Sequence, residues 1–197
     1  MALSEKSMKV IGEYPDTLFR AFDRIDYAQQ FLKGFVRFGT VMGYRKIEDK
    51  NRRDATEGVG HFTTKGINTK IQFYSNVFYA LCCHRDLSSA LETNHGKYIV
   101  EIANPLHLAE ELTRSLRELK SKHFGGIEGV VVEYNKGNER NEELDSYQKS
   151  RLAYCQKPVE YDSENEFRFV FCRKEFAGND LLIQLPQFIN GAVHDYT

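Results

Sequence analysis

Within residues 162–171, Phe167, Phe169 and Phe171 alternate with Glu164, Glu166, Arg168 and Val170. Alternation at period two is the mark of an extended strand whose two faces meet different surroundings. Three phenylalanines on one face demand burial against a core. The other face sets two carboxylates and a guanidinium in a row, with about 7 Å for each i, i+2 step. Such a charged row is either a solvated face or the floor of a site. Composition alone favours the first, a half-exposed antiparallel strand with a cross-strand ion pair.

The remainder of the chain fits around that strand. At 197 residues it suits one domain, residues 1–197, with a polar lead-in over 1–14. Residues 18–22 read as a strand carrying Arg20 between Leu18 and Phe22, and 35–41 as a second. Between them lies a helix capped by Asp23 or Asp26 and stopped by Gly34. Residues 44–58 are the most charged segment and read as a loop. Residues 62–70 suggest a hairpin, 71–83 one bent strand or two, 87–93 a short helix and 98–102 a strand. Asn104-Pro105 is a helix start, with Leu108, Leu112, Leu116 and Leu119 as its core stripe. A break at Gly125-Gly126, a strand over 129–134, a helix over 142–156 and a last strand over 181–186 complete the pattern. The expected fold is α+β: a mixed or antiparallel sheet of six to eight short strands with three or four helices.

Several chemistries are disfavoured. A net charge of −1 gives no bulk attraction to nucleic acid or to an anionic membrane. No apolar run is long enough to cross a bilayer, and residues 1–12 do not read as a signal peptide. Cys82, Cys83, Cys155 and Cys172 lack C-x-x-C spacing, which points to buried thiols in a reducing cytoplasm rather than to a zinc site. The six histidines form no ligand pair at helical spacing, so no metal is expected. Cys83 and His84 are neighbours on a strand and point to opposite faces, which disfavours a Cys–His nucleophile. There is no phosphate-binding glycine loop and no nucleophile elbow.

What remains is a set of polar residues spread over an aromatic sheet: Arg20, Tyr44-Arg45, Cys83-His84 and Glu164-x-Glu166. Their order and type resemble the ADP-ribosyltransferase fold in its Arg–Ser–Glu variety. A second resemblance is carried by Phe31-Leu32-x-Gly34-x-x-Arg37-Phe38-Gly39, Tyr44-Arg45-x-x-Glu48-Asp49, Arg53-Asp54, Glu57-Gly58, Lys157-Pro158 and Glu164-x-Glu166-x-Arg168. This set is similar to a family of uncharacterised bacterial and phage proteins. Together the two resemblances span residues 18–171.

The transferase resemblance implies NAD as substrate; the second resemblance implies a phage or bacterial conflict factor, either a toxin or an anti-defence protein, and the thiols imply a cytoplasmic setting. Cleaving the bond to nicotinamide passes through an oxocarbenium-like state, which a carboxylate stabilises. The resemblance gives that role to Glu166 and gives Glu164 the acceptor, which could be protein, nucleic acid or a small molecule. It assigns Arg20 to the pyrophosphate or adenosine ribose, in one cleft with Glu166, and Tyr44 to stacking on nicotinamide. Arg45, Cys83, His84 and Ser88 complete the nucleotide contacts it implies. The middle strand departs from the family pattern, with Cys82-Cys83-His84 where Ser-Thr-Ser is usual. Glu166→Gln is expected to abolish turnover while sparing the fold, because Glu166 is read on the polar face away from the phenylalanines. The alternative function is a non-catalytic protein that covers a host partner or sequesters a nucleotide. Oligomeric state does not follow from the sequence.

Overall fold

A computed structural model describes residues 10–46, 58–64, 67–74, 78–93, 95–118, 123–134, 146–173 and 179–196. In chain order the elements are β1 (Leu18–Phe22), α1 (Ile25–Leu32), β2 (Phe35–Thr40), α2 (Val41–Arg45), β3 (Val59–Thr64), β4 (Ile67–Tyr74), β5 (Phe78–His84), α3 (Leu87–Glu92), β6 (Tyr98–Ile102), α4 (Pro105–Glu118), β7 (His123–Val131), β8 (Glu133–Tyr134), α5 (Ser146–Cys155), β9 (Gln156–Lys157), a 3-10 helix (Val159–Glu164), β10 (Glu166–Arg173), β11 (Leu181–Gln184) and β12 (Gly191–Asp195). The fold is α+β with a mostly antiparallel eight-stranded sheet. Among the described residues, five α-helices and one 3-10 helix exceed the three or four helices expected.

The sheet is organised around β5. One edge pairs along its length with β10, which in turn pairs with β7. The opposite edge is shared: β2 takes Tyr79 and Ala80, and β1 takes His84. A gap therefore opens beside Leu81, Cys82 and Cys83, and backbone groups there need other partners. β6 and β12 continue from β1, and β11 continues from β2.

Local chemistry explains most element ends. Asn104 caps α4 by accepting from the His107 N–H at 3.0 Å. Gly34 follows α1 at φ 90°, a conformation that suits glycine. The N-cap of α1 is Arg24 rather than Asp23 or Asp26, and the Arg24 side chain grips Asp26 instead. Gly125-Gly126 lies inside β7 rather than breaking the chain. β12 was not foreseen. The charged segment 47–57, the Gly66 turn and Leu119 lie outside the described residues.

Both faces of β10 are covered. Phe167, Phe169 and Phe171 pack in a core with Ala28 and Phe31 of α1 and Leu108, Leu112 and Leu116 of α4, so the leucine stripe is core as expected. Tyr14 lies over Phe167 and Phe169, at ring separations of 5.5 and 5.9 Å. Phe169→Ala is expected to cost about 3–5 kcal/mol through lost burial and a residual cavity. The shift of the denaturation midpoint measures it, and a loss under about 1 kcal/mol would contradict this packing.

The other face is not the half-exposed surface that composition favours. Leu152, Tyr154 and Cys155 of α5 pack there with Phe78, Ala80, Val130 and Val170. Arg151 and Tyr154 both donate to the buried Glu128 carboxylate at 2.7 Å, which fastens α5 to β7. Glu166 and Arg168 thereby become interior residues, 3% and 0% exposed.

Candidate functional site

A buried carboxylate is tolerated when its charge is paired and its oxygens are bonded. Glu166 meets both conditions. Arg168 Nε lies 2.9 Å from its Oε1 and Nη2 lies 3.2 Å from Oε2, a bidentate fork. Lys157 Nζ lies 2.9 Å from the same Oε2. The remaining Arg168 donor, Nη1, reaches the Tyr154 carbonyl at 3.0 Å near the end of α5. A cation at a helix C-terminal end is favourable there.

Glu164 is not part of the strand, as the alternation implied. It ends the 3-10 helix, and Asn165 at φ 39° turns the chain into β10. Both carboxylates still converge, because Lys157 Nζ also lies 2.5 Å from Glu164 Oε2. Lys157 is placed by β9, whose parallel pairing with β8 sets Tyr134 opposite it. The Tyr134 hydroxyl accepts from the Glu166 N–H at 2.8 Å. Tyr161 lies with its ring 5.3 Å from the Lys157 ammonium.

The two carboxylates are driven apart in acidity. Burial, with the Glu166 charge behind it, pushes Glu164 up to about 7 against the pull of Lys157. Burial also acts on Glu166, but Arg168 and Lys157 overcome it and hold its carboxyl well below the usual range. The protonated form is thus favoured at Glu164 and the ionised form at Glu166. Paired carboxylates with separated acidities can divide acid–base work.

The other expected residues divide between the two faces. Phe19, His84 and Glu166 are register partners on one side of the sheet. His84 Nδ1 lies 2.7 Å from the Glu164 carbonyl, and burial holds its imidazole below the ordinary value. Cys83 pairs with Phe167 on the opposite face, and burial pushes its thiol up to about 11. Arg20 follows Phe19 in β1 and so rises from that opposite face, and the expectation that it shares a cleft with Glu166 is corrected. Its guanidinium packs against Phe22 and Phe31 and donates to the Cys82 carbonyl at the gap in the sheet.

Tyr44 closes the same gap from the α2 side. Its hydroxyl donates to the Ala80 carbonyl at 3.1 Å and accepts from Cys82 Sγ at 3.4 Å. Its ring occupies the space a side chain at position 39 would need, about which Gly39 leaves no conflict. Arg20 thus satisfies a carbonyl within the gap along β5, and Tyr44 bonds the Ala80 carbonyl at its margin. Arg45 is the last residue of α2. Ser88 is spent on Asp86, at 2.7 Å.

Lys157, Arg168 and Tyr134 were absent from the expected site. Lys157-Pro158 and Arg168 did belong to the second resemblance, which was the available signal. Among the described residues no cluster of histidine, cysteine or acidic side chains is arranged to hold a metal ion, and no helix is long and apolar enough to cross a membrane. The chain matches no protein-family model, no curated protein and no solved structure.

Proposed function

We propose that the chain transfers ADP-ribose from NAD, as a phage or bacterial conflict factor, with Glu164, Lys157 and Glu166 at the reacting centre. The observation that supports this reading best is the sharing of one buried ammonium by two carboxylates of opposite protonation tendency. In this reading the ionised Glu166 faces the ribose as its bond to nicotinamide breaks and positive charge develops. Nicotinamide leaves with the bonding electrons. The acceptor's oxygen or nitrogen forms the new bond to the ribose carbon, and Glu164 takes its proton. Tyr134 and Tyr161 offer aromatic surface beside the pair. Arg20 seals the gap from the far face, where one NAD molecule touching Glu166 could not also reach it, and this weighs against the transferase reading, which assigned Arg20 to the pyrophosphate.

A general base works in its deprotonated form. With Glu164 at about 7, transfer to the acceptor is expected to rise with pH through that value. Glu164→Gln removes this rise and lowers transfer more than simple NAD hydrolysis. Rates of acceptor labelling and of nicotinamide release, measured side by side from pH 5 to 9, test the assignment. Equal loss of both in Glu164→Gln would contradict it.

A second reading rests on the near-complete burial of Glu166 and Arg168. Their charges satisfy each other, as in a structural pair, and the chain then binds a nucleotide or covers a partner without turnover. NAD binding without nicotinamide release favours this reading.

A further inference from the structure

Asn165 separates the two carboxylates in the chain, and it is the one non-glycine residue with positive φ among the described residues. Side-chain-bearing residues avoid this conformation, and it persists where neighbours impose it. Three consecutive residues at the end of β5 do so. His84 Nδ1 meets the Glu164 carbonyl at 2.7 Å. The Arg85 N–H donates to the Asn165 carbonyl at 2.9 Å. The Asp86 carboxylate accepts from Asn165 Nδ2.

Asp86 is itself anchored. It is the N-cap of α3 and accepts from the Ser89 N–H at 2.7 Å, from Ser88 Oγ at 2.7 Å and from Ser89 Oγ at 3.1 Å. The Ser88 and Ser89 bonds, with Asn165 adding to them, hold its carboxyl well below the usual range. The cap of one helix is therefore bonded to the hinge between Glu164 and Glu166.

We propose that Asp86 and Asn165 are positioning residues that set how Glu164 and Glu166 share Lys157. The contact itself is geometric; its value for catalysis rests on the transferase reading above. In an unbroken strand the two residues would stand about 7 Å apart along one face. The left-handed turn at Asn165 instead brings Glu164 in from the end of the 3-10 helix, so that one ammonium meets both carboxylates. The charged and titratable groups around Glu164 are Lys157 from β9, Glu166 and Arg168 from β10, His84 from β5 and Tyr134 from β8. Releasing the hinge frees Glu164 to turn outward to water.

The test is carbon-13 NMR titration of the glutamate carboxyls in the full chain, with Glu164→Gln assigning the signal. Asn165→Gly keeps the left-handed backbone accessible and removes only the side chain. The Glu164 midpoint is expected to fall by about one pH unit or more, towards that of a free glutamate. The turnover number for NAD falls with it, at unchanged KM. The double variant Asp86→Asn with Asn165→Asp reverses donor and acceptor, and asparagine caps a helix as well as aspartate does. It is expected to restore the native midpoint. A folded Asn165→Gly variant with an unmoved midpoint overturns the proposal, as does failure of the reversed pair to restore it. A midpoint that moves and is restored, with no NAD turnover in any variant, upholds the proposal and removes the transferase reading.

Discussion

Arg168→Met is expected to destabilise the protein by about 3–5 kcal/mol, because it leaves Glu166 buried with half its compensation gone. Arg168 is wholly enclosed and gives Glu166 two bonds and the Tyr154 carbonyl a third. Methionine fills similar space but donates nothing, so the cost is electrostatic rather than one of packing. Arg168→Lys keeps the charge and loses the fork, so it should fall between native and Arg168→Met. A double variant with Glu166→Gln removes both members, and its loss should be smaller than the sum of the single losses. Denaturation midpoints of the native chain, Arg168→Met, Glu166→Gln and the double variant measure the coupling. A loss under about 1 kcal/mol for Arg168→Met would contradict the buried-pair geometry.

Glu166→Gln is expected to reduce nicotinamide release by about 10²–10³ per folded molecule, the scale on which a charge aimed at a developing transition state acts. Glutamine keeps the size and some hydrogen bonding but cannot oppose positive charge on the ribose. Placing Glu166 on the polar face of the strand implied that this exchange spares the fold. The structure revises that expectation, since Arg168 and Lys157 both face Glu166 in the interior. Glutamine takes the carboxylate charge away from Arg168 and leaves Lys157 with Glu164 alone, so stability falls as well. Rates must therefore be compared at a temperature where circular dichroism shows both chains folded.

The phenylalanine face of β10 was legible because alternation is local and three large apolar side chains leave no choice of side. The start of α4 was legible for a similar reason, since Asn104-Pro105 announces itself within two residues. The covering of the charged face was not. Glu166 and Arg168 are ordinarily surface residues, and only the packing of α5 across the sheet makes them interior ones. Lys157 read as the residue after a helix. Its importance depends on β9 pairing with β8, which neighbours in sequence do not reveal. The division of β5 between β1 and β2 is likewise a long-range event, and it turns Arg20 and Tyr44 towards backbone carbonyls. Asn165 carried no periodic signal, because a single left-handed residue breaks a pattern rather than making one. β12 was hidden by Gly191 and Asp195, neither of which favours a strand.

The most direct measurement is nicotinamide release from NAD by the native chain and by Glu166→Gln, with NAD binding followed in parallel by calorimetry. Protein, nucleic-acid and small-molecule acceptors are supplied in separate reactions. Catalysis at the carboxylate pair predicts binding and release by the native chain, with release lost by about 10²–10³ in the folded variant. A native chain that neither binds NAD nor releases nicotinamide with any acceptor, or a variant that releases it at the native rate, contradicts the account.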